Sequence, residues 1–376
     1  MNFTDEQLEF RDTMRRLGAE KVAPRAAEMD DTDEFPSDIL ALFRELGLVQ
    51  LAVPEEYGGS GADVTTICIA REELAKAGSM GIATLAGQNN NLTLTLLQLG
   101  SDEQKQRLLP EFAKGAITSF ALSEAEAGSS PSDMRTKAVR DGEEWVINGT
   151  KSWITWGPMA SYCVVFARTG SERGEISGFI VEMDAPGLTI DRVNHKLGQH
   201  GVPNVDLRFD DVRVPEADML GPEGKGLNAA LRGLHQNRPM MGAIALGGAQ
   251  AAFQCALDFL KNRLQNGRPL TRHQGLRWKL AEMATEIEAT RGLIYRCAAG
   301  FDSGADVNSM VMLSSMAKLH ASETVVRVAN DCVQLLGGAG YMHGFPAERY
   351  LRDARVTTIY EGTSEIQKNT IARAFI

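Results

Sequence analysis

Glu361 stands in Ile359-Tyr360-Glu361-Gly362-Thr363-Ser364-Glu365-Ile366-Gln367, between an aromatic residue and a glycine and just ahead of a helix-start signal. A carboxylate held dehydrated at the edge of a pocket gains basicity and can take a proton from a weakly acidic C–H. Most glutamates ahead of helices are surface caps, so this chemistry depends on what other segments bring to the same place.

Four segments qualify. Phe120-Ala121-Leu122-Ser123-Glu124-Ala125-Glu126-Ala127-Gly128-Ser129-Ser130 reads as a strand entering a small-residue loop. Such a loop offers backbone N–H groups and hydroxyls to a phosphate or a planar ring, although composition alone favours a plain surface loop. In Lys151-Ser152-Trp153-Ile154-Thr155-Trp156-Gly157, Trp153 and Thr155 lie two apart on a strand and share a face. An indole beside a hydroxyl suits an aromatic cofactor; a core tryptophan is the commoner explanation. Arg263, near a helix end and followed by Gln274, is a natural pyrophosphate partner, with a solvated helix-end charge as the bland alternative. In Gln334-Leu335-Leu336-Gly337-Gly338-Ala339-Gly340-Tyr341, paired glycines after a helix allow close approach of a phosphate or a neighbouring subunit. A C-cap explains one of these glycines but not three. The run is no Rossmann fingerprint, because it follows a helix and lacks a βαβ unit.

The elements that must position these residues fall into three zones. Residues 1–117 read as helices, with capping boxes at Thr4/Gln7 and Ser101/Gln104. Pro36-Ser37-Asp38 opens a further helix, whose face carries Ile39, Leu40, Leu42, Phe43 and Leu46 and which Gly47 stops. Residues 118–223 alternate β-branched or aromatic residues with polar ones, predicting strands at 135–140, 144–147, 161–168, 178–182, 188–193 and 205–214. Asp141-Gly142 and Asn148-Gly149 read as two hairpin turns. Residues 224–376 return to helical texture, with a long helix over 308–336. The predicted fold is α+β, mainly α.

Composition narrows the classes. The chain has 376 residues, 43% hydrophobic and 23% charged, with a net charge of −10 and no long basic run, which argues against a general nucleic-acid binder. Five scattered cysteines without a C-x-x-C pair read as reduced thiols, and the six histidines show no metal-ligand spacing. No signal-peptide or transit pattern opens the chain, and no stretch has the run of apolar residues of a membrane span; a cytoplasmic location is expected.

Together these segments resemble the acyl-CoA dehydrogenase family of flavoproteins, in order and spacing, over essentially the whole chain. Val53-Pro54-Glu55-Glu56-Tyr57-Gly58-Gly59, Gly100-Ser101-Asp102-Glu103-Gln104-Lys105 and Phe209-Asp210-Asp211-Val212-Arg213-Val214-Pro215 are further landmarks. The resemblance implies an N-terminal helical domain, a middle β-barrel or sandwich domain and a C-terminal four-helix bundle, assembled as a homotetramer or homodimer. It implies FAD held by Phe120, Leu122, Ser123, Gly128, Ser129, Trp153 and Thr155. Arg263, Gln274, Gln334, Gly337 and Gly338 would reach the FAD of an adjacent subunit, and Thr363 and Glu365 would complete the site. Ser129, His235, Arg238, Tyr360 and Gly362 would contact an acyl-CoA substrate. Glu361 would take the α proton while a hydride leaves the β carbon for flavin N5, and an electron-transferring flavoprotein would accept the electrons. Some members carry the base on a helix of the C-terminal domain. Here that position is Asn237, an amide, which leaves Glu361 alone.

Several positions depart from the family pattern: Ser130, Trp156, Asn266, His235 and the stretch His200-Gly201-Val202-Pro203-Asn204. Drift accounts for Ser130 and Trp156; His200 and His235 leave open an unusual thioester. An oxygen-using flavoenzyme such as an acyl-CoA oxidase is the alternative on the same fold. A non-catalytic scaffold would instead be expected to lose the base and flavin residues, all of which are present.

Overall fold

Thr4 and Ser101 start their helices as their contexts require. Each hydroxyl accepts the N–H three residues on, while Gln7 and Gln104 reach back to the cap N–H at 3.2 and 2.9 Å. Two otherwise orphan donors are thereby satisfied at each helix start. In the computed structural model, which describes residues 3–376, the N-terminal zone comprises α1 (Asp5–Leu17), α2 (Ala26–Thr32), α3 (Ser37–Glu45), α4 (Val64–Lys76), α5 (Met80–Ala83), α6 (Asn90–Leu99) and α7 (Asp102–Ala113). α3 buries Ile39, Leu40 and Phe43 as predicted. Leu46 does not join them: it falls past the helix end and is half exposed.

The middle zone is one sheet of β1 (Thr118–Ala121), β2 (Lys137–Asp141), β3 (Glu144–Thr155), β4 (Tyr162–Arg168), β5 (Ile176–Glu182), β6 (Leu188–Val193), β7 (Asn204–Pro215) and β8 (Met219–Leu220). The order is β6-β7-β3-β2-β4-β5-β8, with β1 parallel to β4. β2 meets β4 at a single register pair, Lys137 with Arg168. The two halves enclose a common interior of Trp145, Ile147, Leu207 and Phe209 from one side and Cys163, Val165, Phe179 and Val181 from the other. The alternate residues Val164, Phe166 and Ile180 pack outward on Leu92, Leu96, Leu108 and Phe112 of α6 and α7. Period-two alternation thus feeds two cores from one strand pair.

Asp141-Gly142 makes the expected hairpin, with Asp141 opposite Glu144. Asn148-Gly149 does not. β3 runs straight through it, and the register against β7 shifts there. The Asn148 side chain exchanges two 2.9 Å hydrogen bonds with Asp211, and a side chain at Gly149 would meet Thr136 at 2.6–2.8 Å. The backbone freedom that favours a turn here accommodates a bulge inside a strand.

The C-terminal zone comprises α8 (Gly226–Asn262), a small hairpin of β9 (Leu264–Gln265) and β10 (Arg268–Pro269), α9 (Gln274–Asp302), α10 (Val307–Leu336), α11 (Gly338–Tyr341), α12 (Ala347–Arg355) and α13 (Ser364–Ala372). By length and composition α8 could cross a membrane, yet 67% of its apolar stretch is buried in the molecule. The packing is close: a Cβ on Gly247 of α8 would meet the Glu72 carbonyl of α4 at 2.2 Å. Ile67 and Leu74 of α4, Ile244 and Leu246 of α8, Ile294 of α9 and Val325 of α10 belong to one core.

A polar seam joins all three zones. Arg352 of α12 pairs with Asp30 of α2 and with Glu348. The ring of His200 meets the Asp30 carbonyl at 2.7 Å, Gly201 N–H donates to Asp33 at 2.8 Å, and Gln199 N–H donates to the buried Asp353 carboxyl. The departure at His200 is therefore structural, a tie between α2 and the β7 approach.

Candidate active site

Glu361 and Gly362 both lie in the left-handed region, at φ 55° and 90°, where the chain turns from α12 into α13. A non-glycine residue there is strained by about 1–3 kcal/mol unless its surroundings hold it. They do. The Gln367 amide donates to the Glu361 and Gly362 carbonyls at 3.1 and 3.0 Å, and the fully buried Lys318 of α10 donates to Gly362 at 2.8 Å. Thr363 caps α13 by accepting the Ile366 N–H at 3.3 Å. Glu365 is an exposed first-turn acid of the same helix, its carboxyl lowered by helix-start backbone N–H and the Thr363 hydroxyl.

The Glu361 carboxyl is thereby aimed between the N-terminal helices and the bundle. Oε1 accepts from Asn237 Nδ2 of α8 at 3.0 Å; Oε2 is enclosed and has no hydrogen-bond partner. Burial pushes the carboxyl above its ordinary range, against the opposing influence of Asn237, Arg238, Asn91 and Arg71. Asn91 faces the carboxyl without reaching hydrogen-bond geometry. Among the described residues, the Glu361 backbone N–H has no acceptor.

Around this acid sit three buried cations. Arg238 donates to Ser315 at 2.8 Å and to His235 Nδ1 at 2.6 Å, and burial draws its pKa down to about 10. His235 is driven to about 4 by burial and by Arg238, so it is a neutral acceptor at neutral pH. Lys318 falls to about 8, chiefly through burial. Arg71 of α4 is 4% exposed and hydrogen-bonds Ala86, Gly87 and Asn237. The Tyr360 ring is packed against the core, and burial pushes its hydroxyl up, well away from ionisation.

Lys318, Arg71, Gln367 and Asn91 were not singled out in the sequence. Each reads there as an ordinary polar residue of a helix, and only tertiary packing turns it inward. Asn237 was read as a vacant position; the structure places it in contact with Glu361.

The flavin candidates lie on the β sheet. Phe120 is half-buried, 5.1 Å from the Phe166 ring. Leu122 is buried, its carbonyl held by the enclosed Lys151, which also pairs with Glu124 at 2.9 Å. Ser123 accepts the Ser152 N–H through its carbonyl. Gly128 and Ser129 are exposed, and a Cβ on Gly128 would meet nothing within 4 Å. Trp153, at φ 61°, sits on a second bulge of β3 with 52% of its surface exposed. It and Thr155 are exposed while Ser152 and Ile154 are buried, so they share a face as predicted. Asn204 ties both, donating to the Trp153 carbonyl at 2.9 Å and the Thr155 hydroxyl at 3.3 Å. Trp156 is also left-handed, at φ 68°, and stacks edge-on against Phe35.

Arg263, Gln274, Gln334, Gly337 and Gly338 are all exposed. Arg263 shares a surface cleft of about 640 Å³ with Leu336, Phe345 and Tyr350, so the ends of α8 and α10 meet. No hydrogen bond or ion pair among the described residues links them to the Glu361 cluster. Asn266 and Gly267, at φ 51° and 70°, form the turn between β9 and β10, which explains the asparagine that departs from the family pattern. A second cleft, of about 580 Å³ beside Pro158 and Leu188, is also remote from Glu361. Among the described residues, no group of three or more His, Cys, Asp and Glu side chains is placed to hold a metal ion.

Residues 4–116, 119–212 and 224–376 match the acyl-CoA dehydrogenase N-terminal, middle and C-terminal domains. The chain belongs to the acyl-CoA dehydrogenase family. It is 40% identical to an acyl-CoA dehydrogenase of Bacillus subtilis over 376 residues, covering 99% of this chain and 98% of that one. Its fold matches the three-dimensional structure of butyryl-CoA dehydrogenase from Megasphaera elsdenii with a TM-score of 0.95 at 35% identity, covering 100% and 99% of the two chains. A glutaryl-CoA dehydrogenase from Mycobacterium smegmatis, in complex with FADH2, matches with a TM-score of 0.92 at 29% identity and covers 99% and 95%. The protein is an oxidoreductase of this FAD-dependent family.

Proposed function

We propose that this enzyme introduces a double bond between the α and β carbons of an acyl-CoA thioester, with Glu361 as the base. One observation carries the reading: Glu361 is a dehydrated carboxyl tied at one oxygen and free at the other. Burial raises its proton affinity, the Asn237 bond fixes its direction, and Oε2 is left to receive the proton. The unengaged Glu361 N–H is a donor for the thioester carbonyl, whose polarisation makes the α C–H acidic enough to react. Substrate binding would expel remaining water and strengthen the base further.

The residues present fit a flavin. An exposed indole on a strained bulge, a hydroxyl two residues on and an unobstructed Gly128-Ser129 loop make a flat, approachable surface on the β domain. When bound, FAD would accept the hydride leaving the β carbon. Phe120, Leu122, Ser123, Gly128, Ser129, Trp153 and Thr155 would hold it. The exposed Arg263, Gln274, Gln334, Gly337 and Gly338 would serve the cofactor of a second copy in a dimer or tetramer. Electrons would leave to an electron-transferring flavoprotein. The butyryl- and glutaryl-CoA relatives favour a short acyl group.

The test is anaerobic titration of the purified protein with acyl-CoA thioesters of differing length and branching. One of them should bleach the flavin band, and Glu361→Gln should retain the colour while losing the bleaching. A flavin that no thioester reduces would overturn the reading.

A further inference from the structure

We propose that Asn237, held the right way round by Arg71, is a positioning residue that ties Glu361 by one oxygen and leaves the other aimed at the substrate. This inference rests on the base role given to Glu361 above.

An asparagine amide has a donor end and an acceptor end, and here both are engaged. Asn237 Oδ1 accepts from Arg71 Nη1 at 3.3 Å, and Nδ2 donates to Glu361 Oε1 at 3.0 Å. A guanidinium only donates and a carboxylate only accepts. Only one orientation of the amide therefore satisfies both neighbours. The flipped orientation would set carbonyl against carboxylate and NH₂ against guanidinium. Arg71 cannot swing away, because Nε and Nη2 are fixed on the Ala86 and Gly87 carbonyls at 2.8 and 3.0 Å.

Arg71 is also a buried cation with no carboxylate in salt-bridge contact among the described residues. Its charge favours the Glu361 anion through space, but its hydrogen-bond link to the carboxylate runs through the amide. A direct fork of Arg71 on Glu361 would engage both carboxylate oxygens and suppress the base. The interposed amide passes on the electrostatic support and leaves Oε2 open. The other charged groups facing Glu361 do not compete for the same oxygen. Arg238 of α8 is engaged by Ser315 and His235, and Lys318 of α10 by the Gly362 carbonyl. Asn91 of α6 and Tyr360 are the remaining neutral neighbours.

The Glu361 carboxyl can be titrated without turnover. Infrared difference spectra of the flavin-loaded protein, wild type minus Glu361→Gln, give its midpoint. Asn237→Leu removes the donor at nearly constant volume and should raise that midpoint by about one pH unit or more, the scale of one hydrogen bond to a charged group. Asn237→Thr, which retains a donor, should fall between the two. Arg71→Lys should shift the midpoint less than Asn237→Leu, and Arg71→Met by a comparable amount. Arg71→Met also strips two carbonyls of their donor, so where it fails to fold Arg71→Lys carries the comparison. With a reducing thioester, Asn237→Leu should lose kcat at neutral pH and regain it at higher pH, with KM little changed. An unchanged midpoint in Asn237→Leu overturns the proposal. A shift there without one in either arginine variant overturns the part given to Arg71. Because the infrared readout needs no substrate, failure of the dehydrogenation reading would show separately, as an unreduced flavin with the titration shift intact.

Discussion

At the residue scale, the behaviour of Glu361 follows from opposed influences on one carboxyl. Burial favours its neutral form, and Asn237 with two arginines favours the anion. A carboxyl raised on folding contributes stability that is full below its unfolded value and lost as pH rises through its folded value. Replacing it by a neutral amide removes that loss. Glu361→Gln should therefore raise Tm at pH 8 more than at pH 5, read by calorimetry of the two proteins at each pH; an equal effect at both would contradict the assigned burial. His235, held near 4 by burial and Arg238, is uncharged throughout the neutral range. His235→Gln should accordingly leave the pH profile of flavin reduction unmoved between pH 6 and 8. The proposed chemistry of Glu361 was legible only together with the other segments and the family pattern, because an acid ahead of a helix is most often a surface cap. Arg71 and Lys318 were not legible, since a basic residue in a helix is nearly always solvated, and only packing of α4, α8 and α10 makes these two inward.

At the element scale, the site depends on short irregularities more than on long helices. The left-handed Glu361–Gly362 turn is fixed by the start of α13, so Thr363→Ala should cost about 1 kcal/mol in chemical denaturation, the usual value of a lost cap. It should also slow flavin reduction by freeing the turn. On the sheet, two bulges of β3 place Gly149 against Thr136 and expose Trp153. Strand alternation told correctly that Trp153 and Thr155 share a face. It could not tell that Asn148-Gly149 is a bulge, because turn and bulge ask for the same backbone freedom. The capping boxes at Thr4 and Ser101 were fully legible, being local in sequence and independent of packing.

At the scale of the whole molecule, the three sequence zones do not carry three separate cores. α4 shares its interior with α8, α9 and α10, and the outer face of β4 and β5 packs on α6 and α7. Glu361 and the helix donating to it belong to the C-terminal zone and the arginine behind that helix to the N-terminal one, each of Arg71, Asn237 and Glu361 more than a hundred residues from the next in the chain. The seam around Arg352 and Asp30 holds these zones together, and both side chains are largely buried. Arg352→Met should destabilise the protein by roughly 3 kcal/mol, because it leaves the largely buried Asp30 with the His200 ring, 3.1 Å away, as its remaining ion-pair partner among the described residues, with the loss read from urea denaturation followed by flavin release. The order helical, β, helical was legible from texture. The joining seam was not, since its members are single polar residues scattered over more than three hundred positions.

The role of Glu361 is tested most directly by the flavin spectrum under anaerobic titration with acyl-CoA thioesters, wild type beside Glu361→Gln. At least one short thioester should bleach the wild type, while the variant keeps its yellow colour unbleached. Bleaching of the variant at the wild-type rate would contradict the role given to Glu361, and a wild-type flavin that no thioester reduces would contradict the reaction itself.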